Sequence, residues 1–151
     1  MPFDRLIQAM DKWAEHHPDQ DVLAQIGGGQ YVPSHMRSTR MLSPSEFRNA
    51  VGACAIVVAH AGMGSFFSCM EMRKPIVMLP RYASRGEVTT DHQVRAVHWL
   101  RNKPGVYVAM AEDEIVGAID LALNAGSVDV GDFRRFASEL FLKKIRQFLV
   151  Q

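Results

Sequence analysis

Apolar residues recur at helical spacing from the start of the chain. Phe3, Leu6, Ile7, Met10, Trp13 and Ala14 share one face, which predicts a helix over Phe3–His17 that Pro18 stops. Asp21–Ile26 (DVLAQI) then reads as a short buried strand ended by Gly27, Gly28 and Gly29, and Arg37–Leu42 as a second short strand. Ser43-Pro44-Ser45-Glu46 is a helix start: Ser43 caps, Pro44 suits the first helical position, and Glu46 stands three residues after the cap. That helix is expected to run to about Val51. Ala53–Ala59 (ACAIVVA) is apolar throughout, the pattern of a strand covered on both faces. After His60-Ala61-Gly62-Met63-Gly64, a helix is expected from Ser65 to about Met72, followed by an apolar strand, Pro75–Leu79. Pro80–Thr90 reads as a polar loop, Asp91–Asn102 as a helix and Val106–Ala109 as a strand. Helices over about Glu112–Asn124 and Gly131–Leu149 complete the series.

Strands alternating with helices predict an α/β fold: a Rossmann-like parallel sheet with helices on both faces. In such sheets ligands bind outside the carboxyl ends of the strands. The loops after residues 26, 42, 59 and 79 are therefore expected to share one edge. A parallel sheet of this kind ordinarily opens on a strand, which Met1 and Pro2 cannot supply, so either a longer chain or a partner is expected to complete it.

Composition narrows the classes. A chain of 151 residues suits one domain, here residues 1–151 with an amphipathic helix at about 131–149. Hydrophobic residues at 48% can fill its core, and a net charge of +1 gives no field that would favour nucleic acid. Cys54 and Cys69 lie in apolar surroundings without metal-ligand spacing, which predicts free thiols, no metal site and a reducing cytoplasm. No apolar run approaches the ~18 residues of a membrane span, and no secretory signal is expected ahead of the first helix.

Two loops carry candidate chemistry. In His60-Ala61-Gly62-Met63-Gly64-Ser65 the glycines allow close backbone approach, and the N–H groups at the start of the next helix face outward with partial positive charge. A diphosphate fits such a turn; a tight strand-to-helix connection that binds nothing fits it equally. It is not the dinucleotide fingerprint, whose third glycine would fall at Phe67. Asp91-His92-Gln93 opens the later helix with three side chains able to read sugar hydroxyls, although Asp91 also suits a plain N-cap. Arg81, Arg85 and Glu87 in the intervening loop fit a lid over an anionic ligand, or an ordinary solvated loop.

The stretch AHAGMGSFFSCMEMRKPIVMLPR, followed by DHQ, resembles the C-terminal UDP-sugar-binding domain of family 28 glycosyltransferases. PFDRLIQAMDKWAE, AQIG and LSPSEF bring it nearer to the small catalytic subunit of two-component exopolysaccharide glycosyltransferases of the PssE type. The resemblance spans Pro2 to about Ala122. It implies one half of a GT-B glycosyltransferase, an inverting enzyme that uses a UDP-sugar, by that branch glucuronic acid, and a lipid-linked acceptor. It further implies that Leu42 binds uracil through its backbone, and that Gly62, Met63, Gly64 and Ser65 line the diphosphate and ribose. His60 would lie under the nucleotide, where a core histidine with a satisfied ring is the competing reading. His92 and Gln93 would contact the sugar, with Asp91 ordering their turn. Arg81 or Arg85 would meet a uronate. No cofactor beyond the donor substrate is implied.

Two departures stand out. Many family members carry an acid for the ribose hydroxyls where this chain has Ser68, which loses the charged, bidentate contact. In relatives the opening strand ends in a Gly-Thr loop near the phosphates. The resemblance also implies a membrane-associated, acceptor-binding partner subunit that supplies the catalytic base, since no residue here has a clear claim to that role. His16 and His17 close the first helix as surface residues that suit its dipole. The chain is thus expected in the cytoplasm, held at the inner face of the membrane through its partner. The apolar stripe of the last helix (Phe133, Phe136, Ala137, Leu140, Phe141, Ile145, Phe148 and Leu149) fits its own core, a partner or an anionic membrane surface. The alternative function is a non-catalytic UDP-sugar-binding or regulatory module.

Overall fold

A computed structural model of the chain describes residues 2–129. The expected helix at Gly131–Leu149 lies outside the described residues. Within them the protein is α/β, with parallel strands in two small sheets.

Helix α1 (Asp4–Glu15) follows the apolar stripe and buries Leu6, Ile7, Met10, Trp13 and Ala14. At its end His16 and His17 turn Nδ1 to the carbonyls of Lys12 and Trp13, and His17 stacks on Trp13. Strands β1 (Leu23–Gln25) and β2 (Arg37–Thr39) pair in parallel, in register Ala24 with Ser38. β1 is not the buried strand expected: Ala24 is covered, but Leu23 is 41% exposed and Gln25 also faces solvent.

Helix α2 (Pro44–Ala53) starts with the capping box read from the sequence. Ser43 Oγ accepts the Glu46 N–H, and the Glu46 carboxylate accepts the Ser43 N–H. It runs to Ala53, so the apolar stretch from Ala53 divides between helix end and strand. β3 (Val57–His60) keeps only the latter part and is half-buried along its length, not covered on both faces. Helix α3 (Met63–Glu71) leads to β4 (Ile76–Leu79), whose four side chains are fully buried. A 3₁₀ turn at Ala83–Arg85, helix α4 (His92–Leu100), β5 (Val106–Val108), a second 3₁₀ turn at Glu112–Glu114 and helix α5 (Ile115–Ala125) follow.

The second sheet runs β3-β4-β5, all parallel. Strand alternation sends Val77 and Leu79 of β4 to one face and Ile76 and Met78 to the other. The first pair packs with α1 and with Ile115, Ala118, Ile119 and Ala122 at α5. The second pair packs with Phe66, Cys69 and Met70 of α3 and Val97 and Leu100 of α4. Helices on both faces make β4 the centre of the core, which is why a run of four apolar residues without alternation sits there. The single sheet expected from alternation is instead two: β1 and β3 share no hydrogen-bond ladder. Among the described residues no helix is long and apolar enough to cross a membrane.

Candidate functional site

The turn after β3 is built by backbone geometry. Gly62 is the N-cap of α3, in extended conformation and without any side-chain cap. The Gly62 N–H is taken by the His60 carbonyl at 2.7 Å, and the first helical bond runs from Phe66 N–H to the Gly62 carbonyl. The N–H groups of Met63, Gly64 and Ser65 therefore lack intrahelical acceptors, as in any first turn, and the positive end of the helix dipole adds to them. The helix starts two residues earlier than expected, so Ser65 is its third residue and not its cap. Ser68 Oγ donates to the Gly64 carbonyl at 3.0 Å, so its hydroxyl proton is spent within the helix.

Gly62 also has a steric reason. A Cβ there would lie 2.5 Å from Nε2 of His60, so the imidazole packs directly against the glycine. Burial first, then the charges of Arg81 and His92, hold the His60 pKa below its ordinary value, which keeps the ring neutral at pH 7. Neither ring nitrogen has a hydrogen-bond partner among the described residues. This departs from the satisfied core histidine that competed with a ligand role.

The segment after β4 is anchored at Arg81, Tyr82 and Glu87 and exposed at residues 84–86 and 89–90. Arg5 of α1 donates to Glu87 from Nε (2.7 Å) and Nη2 (2.9 Å), and to the Pro80 carbonyl at 2.8 Å. Glu87 Oε2 also accepts the Tyr82 N–H at 2.9 Å. Burial opposes ionisation of Glu87, but the Arg5 and Tyr82 hydrogen bonds outweigh it and leave the carboxyl below its usual range. Asp91 precedes α4 without capping it through its side chain; its Oδ1 accepts the Ala83 N–H at 2.9 Å, so it orders the loop. Gln93 is 5% exposed, and its Oε1 accepts the Arg81 N–H at 3.1 Å. His92 is exposed, with Nδ1 3.0 Å from Thr90 Oγ1. Arg85 is engaged by Glu112 at 2.7 Å. Arg81 is different: its guanidinium lies over the Phe3 ring, and its buried Nε has no hydrogen-bond partner. Burial lowers its pKa from the ordinary value, though not enough to discharge it.

Helix α1 ties the strand ends together. Asp4 Oδ2 accepts the Gln30 and Tyr31 N–H groups after β1, while the neighbouring Arg5 holds the segment after β4. Buried Asp11 accepts the Tyr31 hydroxyl and the Ser34 and His35 N–H groups. Leu42 joins the same edge through its N–H, which donates to Gln25 Oε1 at 2.9 Å and leaves its carbonyl as the backbone group to offer. The structure thus gathers the ends of β1, β3 and β4 at one side, as the loop argument expects. It brings His60 against Gly62 and near Arg81, buries Gln93 as a support and leaves Asp91 exposed while it holds the Ala83 N–H. Arg5 and Glu87 escaped sequence reasoning: their partnership spans 82 residues and follows no motif.

At the opposite end, a cavity of about 360 Å³ opens among Ala55, Ile56, Met72, Lys74, Pro75 and Ala122. It lies at the amino ends of β3 and β4, away from the helix dipole and the glycine turn. No set of three His, Cys, Asp or Glu residues suited to a metal ion occurs among the described residues. No protein-family model matches the sequence, and no curated protein matches it.

Proposed function

We propose that the chain is the donor-binding subunit of an inverting glycosyltransferase. It would form one Rossmann-like half of a GT-B enzyme that moves a sugar from a UDP-sugar to a lipid-linked acceptor in exopolysaccharide synthesis. The catalytic base comes from a membrane-associated partner subunit. One observation carries the reading: the unsatisfied first-turn donors of α3 lie at the same strand edge as the neutral His60 and the cationic Arg81. Of the carboxylates at this edge, Glu87 is held by Arg5, Asp91 by the Ala83 N–H, and Asp4 Oδ2 by the Gln30 and Tyr31 N–H groups. First-turn donors and a cation at one edge suit an anion, and the diphosphate of a nucleotide sugar is such an anion. Arg81 is the better residue for a uronate or a phosphate, because Arg85 is already paired with Glu112.

The test is calorimetric titration with UDP, UDP-glucuronate and NAD. UDP and UDP-glucuronate bind, and NAD does not. In Gly64→Leu the new side chain points into open space, since a Cβ at Gly64 meets nothing within 4 Å. Folding survives and UDP binding is lost, because the side chain occupies the ligand's place. Undiminished UDP affinity in a folded Gly64→Leu refutes the assignment. Addition of the partner subunit, with sugar transfer as the readout, then separates an enzyme subunit from a binding module.

A further inference from the structure

Guanidiniums and aromatic rings alternate where α1 meets the segment after β4. Arg81 lies 4.9 Å and Arg5 5.1 Å from the centroid of the Phe3 ring. Arg5 and Arg85 lie 5.4 and 5.8 Å from that of Tyr82. The face of each ring attracts a cation, but guanidiniums crowded in this way repel one another unless counter-charges accompany them. Two carboxylates do so. Glu87 takes Arg5 through Nε at 2.7 Å and Nη2 at 2.9 Å. Glu112 lies 3.2 Å from Arg5 and 2.7 Å from Arg85. Arg81 is the exception: its buried Nε has no hydrogen-bond partner, and no described carboxylate lies in ion-pair range of it.

Arg81 does not lack a neighbouring acid. Burial lowers its pKa and the charge of Glu87 raises it, so the Glu87 carboxylate acts on Arg81 as well as on Arg5. Geometry decides which arginine holds it. The Arg5 fork reaches both carboxylate oxygens, and Oε2 is fixed further by the Tyr82 N–H at 2.9 Å. The Gln93 side chain meanwhile pins the Arg81 backbone at 3.1 Å. A guanidinium desolvated without a counter-charge raises the energy of the empty protein, and an oxyanion from a ligand relieves it. The Arg81 charge also reaches the His60 ring, which packs on Gly62 at the start of α3.

We propose that Arg5 is a positioning residue for anion binding: it occupies Glu87, so that Arg81 stays free to pair with an oxyanion of the ligand. A phosphate or a carboxylate fits the planar fork of Arg81. Arg5 acts through Glu87 and needs no contact with the ligand. Removing Arg5 therefore does more than break an ion pair. It releases Glu87 to Arg81, and the ligand must then compete with a carboxylate of the chain itself. The identity of the ligand rests on the donor-binding reading; the division of charge between the two arginines does not.

The test is calorimetric titration of the full chain with inorganic pyrophosphate, UDP and UDP-glucuronate. Three variants accompany it: Arg5→Met, which keeps an apolar stem beside both rings, Arg5→Lys, and Arg5→Met/Glu87→Gln. Circular dichroism checks that each folds. Arg5→Met weakens binding by about tenfold or more, the worth of one charged hydrogen bond. Arg5→Lys keeps Glu87 paired and binds as the native chain does. Arg5→Met/Glu87→Gln recovers the affinity although the ion pair is gone, whereas a purely structural role for the pair predicts no recovery. A loss shared by all three ligands places the oxyanion on the diphosphate; a loss confined to UDP-glucuronate places it on the sugar carboxylate. Carbon NMR titration of Glu87 gives a readout without ligand: its carboxyl stays low in Arg5→Met and rises when Arg81→Met is added. Unchanged affinities in Arg5→Met, no recovery in the double variant, or a Glu87 titration indifferent to Arg81 overturns the proposal and leaves the donor reading intact. Pyrophosphate binding without UDP binding overturns the donor reading alone, and a native chain that binds none of the three overturns both.

Discussion

Replacing Glu87 with alanine tests whether one buried ion pair positions the segment that carries Arg81. The Arg5 and Glu87 side chains are 11% and 12% exposed. The substitution removes two charged hydrogen bonds, of 2.7 and 2.9 Å, and leaves the Tyr82 N–H without its acceptor. Breaking one partner of a buried pair costs about 3–5 kcal/mol. Here Arg5 keeps the Pro80 carbonyl and an ion pair with Glu112 at 3.2 Å, which reduces the loss to about 2–3 kcal/mol. That is a large part of the roughly 5–15 kcal/mol that stabilises a typical domain. Urea denaturation at pH 7 measures it, and a double-mutant cycle with Arg5→Ala isolates the pair term. Glu87→Gln adds the pH dependence. The folded carboxyl titrates below its unfolded value, so the native advantage is complete above roughly pH 5 and is lost as pH falls through the lowered value. The stability difference between the native chain and Glu87→Gln should therefore shrink on acidification. A loss under about 1 kcal/mol for Glu87→Ala, a coupling energy near zero, or a difference that grows in acid would refute the reasoning.

Two further outcomes follow from the packing. Gly105 has φ +72°, and a Cβ there would run into the Val128 side chain, so Gly105→Ala should destabilise the chain by about 2 kcal/mol or more in the same urea assay. A near-neutral effect would mean that Val128 does not pack there. Burial, with a smaller push from Cys54, raises the Cys69 thiol to about 12, so roughly one part in ten thousand is thiolate at pH 8. Cys69 should resist a thiol reagent until the chain unfolds, and stoichiometric labelling of the native protein would contradict its burial.

Local chemistry was legible in the sequence wherever neighbours along the chain decide it. The stripe of α1, the Ser43–Glu46 capping box, the buried β4 run and the glycine turn ahead of α3 each leave their mark within a few neighbouring residues, so pattern and spacing sufficed. The start of α3 was misplaced by two residues because glycine and methionine carry no strong signal for entry into a helix. Which strands share a sheet was a different kind of question. Alternation of strands and helices implied parallel pairing, but it did not reveal that β1 and β3 share no ladder with each other, since that depends on how the two sheets pack. The roles of Arg81, Asp91 and Gln93 were likewise settled only in three dimensions. Asp91 and Gln93 hold backbone N–H groups earlier in their own segment, Arg81 lies over the ring of distant Phe3, and no residue type announces which carboxylate will neutralise which arginine. Propensity and periodicity act over a turn or a strand; charge pairing and edge exposure act across the whole domain, and the tertiary structure alone decides them.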